Sequence, residues 1–381
     1  MSQSPSSTPP SSTSGSARTF DPLPTAGGVW ERISPAALIL GLCLAVLLLL
    51  CVLIPAPYAV RMPGPTVDTL GESEGTPLIS VNDAETFPSQ GQLRLTTVSV
   101  AGGPGFPVGV GNVLRGWLDP SVSVVPRESI FPEGVTREET DQQSQAQMTS
   151  SQTSATVAAL ESLGYEVPAV LTVAGVVAEG ASVGVVEEGD VITSITADGT
   201  RHEVVSISGL TQVLKASPPA SDIELGVTRG GEERDLAITT GDDGEGGSTL
   251  GVLIEPQHTF PVDVEIEISN IGGSSAGTMF ALGIMDTLTP GDQTGGKIIA
   301  GTGTMDLDGN VGPIGGIVQK MNGSARDGAS YFLAPIENCS EVVGNVPDDL
   351  QVVRIATLDE AWAAVGAIGT DEAADLPTCE G

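Results

Sequence analysis

Residues 36–54, AALILGLCLAVLLLLCVLI, are apolar without a break and carry no charge. Nineteen helical residues span about 28 Å, close to the hydrocarbon thickness of a bilayer. A cleaved signal peptide would have a shorter apolar core and a small-residue cleavage site. PAPYAVRMPGP follows instead, so the pattern predicts an uncleaved transmembrane helix over 35–56. Ahead of it, residues 1–34 are rich in Ser, Pro, Thr and Gly and have no apolar periodicity, which predicts a disordered tail. Beyond it, residues 62–130 mix alternating runs such as QLRLTTVSV with Gly and Pro clusters, the pattern of a small β-rich juxtamembrane region. Over 131–164 the composition turns to Glu, Gln, Ser and Ala and ends SATVAALESLG, which reads as a helical arm stopped by Gly164. Residues 165–255 alternate strands and turns. EEGDVITSI leads into a strand, Asp198-Gly199 makes a second turn, SGLTQVLKAS is a short helix, and DIELGVTRGG and ERDLAITT are further strands. The segment 256–366 contains ISNIGGSSAGTMFALGIMDTL, a strand-like run that ends in glycines and serines and passes directly into a helix-patterned stretch. Residues 367–381 read as a disordered tail unless Cys379 ties them down.

Charge narrows the class. The chain of 381 residues holds 48 acidic and 15 basic residues, a formal net charge of −33, so a nucleic-acid backbone would be repelled. Arg18 and Arg32 precede the apolar run and Arg61 follows it, after which no basic residue occurs until Arg94. This bias favours a cytoplasmic N-terminus and an extracytoplasmic bulk. Cys43 and Cys51 lie inside the apolar run, whereas Cys339 and Cys379 stand in polar surroundings. In an oxidising compartment the latter two could form a disulfide worth roughly 4 kcal/mol in the chain-entropy model; two free thiols are the alternative. No Cys and His cluster has metal-ligand spacing, and neither metal nor cofactor is expected.

Three kinds of chemistry suit the turn at 272–277. GDQTGGKI (291–298) nearly fits a phosphate-binding loop, but Ile298 stands where a magnesium-binding hydroxyl is required and the stretch follows a helix rather than a strand. GSSAG (273–277) satisfies G-x-S-x-G around Ser275, yet His202 and His258 both precede it, the wrong order for an esterase-type triad. A triad with Ser last could still use His258, although EPQHTFP offers it no support and a surface position suits it better. The third is a Ser–Lys dyad. Among Lys215, Lys297 and Lys320, only Lys320 has apolar neighbours (Ile317, Val318 and Met321) that could desolvate its amine and make it a base. Against this, Ser275 could simply cap the following helix.

Two resemblances follow from these motifs. AEGASVGVVEEGDVITSI resembles the stretch between two central strands of PDZ domains, which take up an extended peptide by strand addition. SLGYEV (162–167) is a candidate for that family's carboxylate-binding loop and equally a plain helix-to-strand turn. GGSSAG followed by GTGTMDLDGNVGPIGGIVQK resembles the proteolytic domain of Lon proteases. The resemblance implies that Ser275 is the nucleophile, that Lys320, four residues after Gly316, is the base, and that Thr302 hydrogen-bonds and holds that lysine. Gly272 and Gly273 would permit the tight turn. The sequence departs from the Lon pattern at Gly272 and Thr304, where acidic residues are common, and at Ser274, where Pro is usual. No ATPase module accompanies the motif. Anchor, PDZ and Lon-type domain in this order resemble the membrane-anchored, ATP-independent Lon-like serine proteases of bacteria.

The expectation is therefore a multidomain α+β protein: transmembrane helix, β-rich PDZ domain (165–255) and Lon-type α/β proteolytic domain (256–366). It would hydrolyse peptide bonds of protein or peptide substrates recruited by the PDZ domain, with Ser275 and Lys320 catalytic and Thr302 and Gly273 supporting. A homo-oligomeric ring is the assembly the Lon resemblance implies. A non-enzymatic PDZ scaffold with a degenerate protease fold is the competing class.

Overall fold

The uninterrupted apolar run forms helix α1, Pro35–Leu53. A computed structural model describes residues 34–379 apart from 54, 74, 133, 245 and 270, so the expected tail over 1–33 lies outside the described residues. Among the described residues no helix is long and apolar enough to cross a membrane, so the transmembrane helix expected over 35–56 is not shown by α1, which ends at Leu53. The chain divides into two compact units, one ending at Leu53 and the other running from Ile54 to the C-terminus.

The second unit is built on two sheets. Besides two minimal pairings, Glu72–Ser73 with Thr76–Pro77 and Gly241–Asp242 with Ser248–Thr249, its strands in chain order are β1 (Pro55–Ala56), β2 (Tyr58–Asp68), β3 (Ile79–Asn82), β4 (Gln92–Ala101), β5 (Val108–Gly109), β6 (Ser123–Pro126), β7 (Ala169–Val176), β8 (Val191–Ala197), β9 (Thr200–Glu203), β10 (Asp222–Arg229), β11 (Glu232–Thr239), β12 (Val252–His258), β13 (Asp263–Ile266), β14 (Ile298–Gly301), β15 (Thr304–Met305), β16 (Val311–Gly312), β17 (Tyr331–Pro335) and β18 (Gln351–Ile355). Besides a single turn at Cys339–Val342, its α-helices are α2 (Val110–Leu118), α3 (Arg137–Ser162), α4 (Ile207–Ala216), α5 (Gly277–Leu288), α6 (Ile317–Arg326) and α7 (Leu358–Gly369).

The first sheet runs in the order β18-β17-β14-β4-β2-β6. Its first four strands are parallel, with Leu95 of β4 opposite Gly301 of β14; β2 and β6 complete it antiparallel. Residues 62–130, expected as a separate juxtamembrane region, thus supply three strands to the same sheet as the C-terminal segment. The alternation in β4 was legible, but its inward residues Leu93 and Leu95 are fully buried only because β14 and α5 lie beside them. The expected helical arm is likewise a core helix. A capping box at Thr136 and Glu139 starts α3, and its second half buries Met148, Ala155, Ala158, Ala159 and Leu160. That face packs on α5, in which every residue from Gly277 to Asp286 is buried. The C-terminal segment is tied down rather than loose: Cys339 and Cys379 are disulfide-bonded, and the Arg354 N–H donates to the Pro377 carbonyl.

The second sheet, β11-β10-β8-β7-β12 with β9 beside β8, carries α4 and forms the PDZ-like β domain. Its hairpin at Asp198-Gly199 has both residues at positive φ, the geometry of a two-residue turn. Asp190, fully buried, is held by the Arg229 guanidinium at 2.6 Å and 2.7 Å and by the Glu187 N–H. The guanidinium holds this carboxyl below its usual range. The last strand runs to His258, three residues past the expected boundary, and the Thr259 N–H donates to the Pro168 carbonyl at 2.7 Å. The PDZ-like domain therefore leaves and re-enters the rest of the unit at neighbouring points. It is inserted between α3 and β13, and β13 pairs with β3 from the far side of the insertion.

Candidate active site

The Ser275 turn is held from two sides. Gly273 adopts φ 91°, a conformation that glycine takes without the clash a side chain would bring, and its N–H donates to the Ser144 carbonyl of α3 at 2.9 Å. A Cβ on Gly272 would run into the Ser144 hydroxyl, so the close approach to α3 also needs glycine there. Ser151, about two turns further along α3, donates its hydroxyl to the Ser274 carbonyl at 3.1 Å. On the opposite side, the Ser275 carbonyl accepts from the Thr302 hydroxyl (2.9 Å) and the Gly303 N–H (3.0 Å), just beyond β14. The turn then enters α5, whose N-cap position is Ala276 with no side-chain cap. Ser275 is not spent as a helix cap.

Its hydroxyl instead meets Lys320. The lysine lies in the first turn of α6, between Ile317 and Met321, which are fully buried. It is itself 2% exposed. Nζ stands 2.8 Å from Ser275 Oγ, 2.9 Å from Thr302 Oγ1 and 2.9 Å from the Thr96 carbonyl. Burial pushes the amine down from 10.5 to about 7, with no carboxylate close by to restore the charge.

The hydrogen-bond inventory fixes what a neutral lysine does here. Thr302 gives its hydroxyl hydrogen to the Ser275 carbonyl, so toward Nζ it can only accept. The Thr96 carbonyl can only accept as well. Two N–H bonds of a neutral amine are thereby directed to Thr302 and Thr96, and the lone pair is left for the Ser275 hydroxyl. The arrangement can take a proton from Ser275 and hold it.

Of the residues read from the sequence, Ser275, Lys320, Thr302 and Gly273 are brought together. The other cations are not part of this cluster: Lys297 pairs with Asp371 at 2.6 Å and Lys215 with Asp308 at 2.9 Å. His258 sits on β12, half-buried rather than on the surface, and among the described residues neither ring nitrogen has a hydrogen-bond partner. SLGYEV is the turn that ends α3. Gly164 takes φ 85° and the Gly164 and Tyr165 N–H groups bond back to Glu161 and Leu160, the geometry of a helix C-terminus. Sequence reasoning missed Thr96, Ser144 and Ser151. Thr96 lies 224 residues from Lys320, and no local pattern marks a carbonyl as a ligand for a distant amine.

Residues 265–365 match the model of the Lon protease (S16) C-terminal proteolytic domain. Lon protease 2 of Bacillus subtilis is 32% identical over 107 residues, covering 26% of this chain and 18% of that protein. The Lon protease of Vibrio parahaemolyticus is 36% identical over 91 residues, covering 23% of this chain and 11% of its own. The chain thus spans less than a fifth of the length of these relatives. Among solved structures, the PDZ domain of the SdrC-like protein of Listeria monocytogenes is similar at 19% identity and a TM-score of 0.20, covering 22% of this chain and 85% of that one. Ser275, Thr302 and Lys320 all lie within the residues that match this model, whereas Thr96 and helix α3 lie outside them.

Proposed function

We propose that the protein is an ATP-independent serine endopeptidase, anchored to a membrane through the apolar run 36–54, in which Ser275 and Lys320 cut peptide bonds in segments recruited by the PDZ-like domain. The observation that carries the reading is the 2.8 Å contact between a serine hydroxyl free of any capping role and a lysine whose burial makes it neutral near pH 7.

Ser275 Oγ attacks the scissile carbonyl carbon while its proton passes to the Lys320 lone pair. The carbonyl becomes an oxyanion beside the positive end of α5, where the N–H groups of the turn can stabilise it. Lys320, now an ammonium, returns the proton to the leaving amine, and the acyl ester on Ser275 is hydrolysed by water with the same lysine as base. Thr302 and Thr96 hold the amine in line throughout. Strand β12 forms one edge of the PDZ-like sheet, paired among the described residues with β7 alone, so an extended substrate segment would add there. The apolar α1 and the positive bias ahead of it support a cytoplasmic N-terminus, and the Cys339–Cys379 bond suits an extracytoplasmic catalytic domain.

The test is cleavage of casein, without nucleotide, by full-length protein in detergent micelles beside Ser275→Ala and Lys320→Met. Loss of cleavage in both variants, with circular dichroism unchanged, is expected. Equal cleavage by all three would refute the dyad, and a folded wild type that cleaves nothing would favour the scaffold reading.

A further inference from the structure

The catalytic apparatus takes nothing from α2, and this helix is apolar over more of its surface than the fold covers. Val113 and Gly116 are buried. A Cβ on Gly116 would meet the Val124 side chain at 2.7 Å and that of Val122 at 3.2 Å, so the helix lies directly on β6 and the strand end before it. Leu114, Trp117 and Leu118 are 46%, 61% and 86% exposed. Their spacing of three and four residues places them on one face. Tyr58 meets the Trp117 ring edge-on at 6.2 Å.

What this face meets follows from the path of the chain. Helix α1 ends at Leu53, and β1 begins two residues later at Pro55. Two residues of extended chain reach at most about 7 Å. β1 pairs with β5, Pro55 opposite Gly109 and Ala56 opposite Val108. Gly109 is the residue that precedes α2, so the start of α2 lies one strand spacing, about 5 Å, from Pro55, two residues beyond the end of α1. If α1 crosses a bilayer, α2 cannot be far from its surface. Tryptophan and leucine on a short amphipathic helix are the side chains that partition into the headgroup–acyl boundary, the tryptophan ring because it is apolar in body with one polar N–H.

We propose that the Leu114–Trp117–Leu118 face of α2 lies in the boundary layer of the bilayer that α1 enters. The inference rests on the anchoring reading above and goes beyond it: the catalytic unit would be held to the lipid at two points, so that the Ser275 site keeps a fixed height and orientation over the membrane. A second copy of the chain is the less suitable occupant. Three side chains on a helix of nine residues offer a few hundred Å² at most, whereas a stable protein interface needs about 800 Å² from each partner.

The experiment uses full-length protein reconstituted into phosphatidylcholine–phosphatidylglycerol vesicles, separated by flotation, beside Trp117→Phe. The difference between their tryptophan emissions is the Trp117 signal. Phosphatidylcholine brominated near the carbonyl end of its acyl chain should quench that signal at least twofold, and aqueous acrylamide should quench it little. Leu114→Ser with Leu118→Ser should reverse the pattern while the protein still floats. Floating protein whose Trp117 is quenched by acrylamide and not by bromolipid would overturn the proposal. Shielding from both quenchers, with cross-linking between copies, would overturn it in favour of a protein interface. Protein that fails to float would overturn the anchoring reading, and the proposal with it.

Discussion

Lowering the pH through 7 should switch the dyad off, because Lys320 must be neutral before it can take the proton of Ser275. With its amine brought down to about 7, half of the molecules hold a neutral base at that pH, about a tenth at pH 6 and about nine-tenths at pH 8. A lysine left at 10.5 would be neutral in only about 0.03% of molecules at pH 7, so burial is worth about a thousandfold in active fraction. The same burial has a cost in stability. At about 1.4 kcal/mol per pH unit, the displacement from 10.5 to about 7 corresponds to roughly 5 kcal/mol. Above 10.5 both folded and unfolded chains carry a neutral lysine. As the pH falls toward 7 the unfolded chain takes up a proton that the folded one refuses, so folding stability drops through that window and levels off below it. Lys320→Met lacks the titrating group, and its stability relative to wild type should rise as the pH falls from 10.5 to 7. Two assays read this out: kcat/KM on a fluorogenic peptide between pH 5.5 and 9 at constant ionic strength, and urea midpoints of wild type and Lys320→Met between pH 6.5 and 10.5. An acid limb near 10, a flat profile, or parallel stability curves for the two proteins would refute the reasoning.

Three further outcomes can be checked. Thr302→Val removes an acceptor from Nζ and a donor from the Ser275 carbonyl; kcat should fall about 100-fold with KM little changed, and the acid limb should move below 7 because the ammonium loses a partner, as a pH–rate profile would show. Asp286, 1% exposed on α5, has no hydrogen-bond partner for either carboxylate oxygen among the described residues, and burial pushes it up to about 6. Its native form favours the proton, so stability is lost as the pH rises from 3.8 through 6; Asp286→Asn should raise the melting temperature at pH 8 by the equivalent of about 1–3 kcal/mol and change little at pH 4. Paired Cys339→Ser and Cys379→Ser opens a closure of 40 residues and should lower unfolding free energy by about 4 kcal/mol, seen as an earlier urea midpoint with a steeper slope because the unfolded chain expands.

Much of the site was legible because it is encoded in short range. The glycines and serines of 272–275, the Gly315-Gly316 turn and Lys320 are each local signals of backbone conformation or of an amine among apolar side chains. The PDZ-like strands were legible for the same reason, since turns such as Asp198-Gly199 delimit them. The fold around the site was not. Whether QLRLTTVSV ends a small β region or forms the middle of a larger sheet depends on its partner, and its partner β14 lies about 200 residues away. The polar-looking first half of α3 concealed a second half that buries alanines and small hydroxyls against α5. Ser151 is one of those, chosen there by the Ser274 carbonyl rather than by any helical pattern.

The insertion of the PDZ-like domain between α3 and β13 has a consequence for the order of events on the ribosome. The sheet that carries Ser275 and Lys320 cannot close until β14, β17 and β18 have been made, so its first three strands must wait, unpaired on one side, while the inserted domain is synthesised. That domain contains all of its own pairing partners and can fold meanwhile. Once it has, the hydrogen bond from Thr259 to Pro168 brings the two ends of the insertion together, and a detour of about 90 residues behaves as a short loop. On a flexible chain, closing a gap of that length costs about (3/2)RT ln n, near 4 kcal/mol, most of which the folded guest has already removed. The inserted domain would thus also serve as an assembly clamp for its host, presenting β13 to β3 as soon as it leaves the exit tunnel.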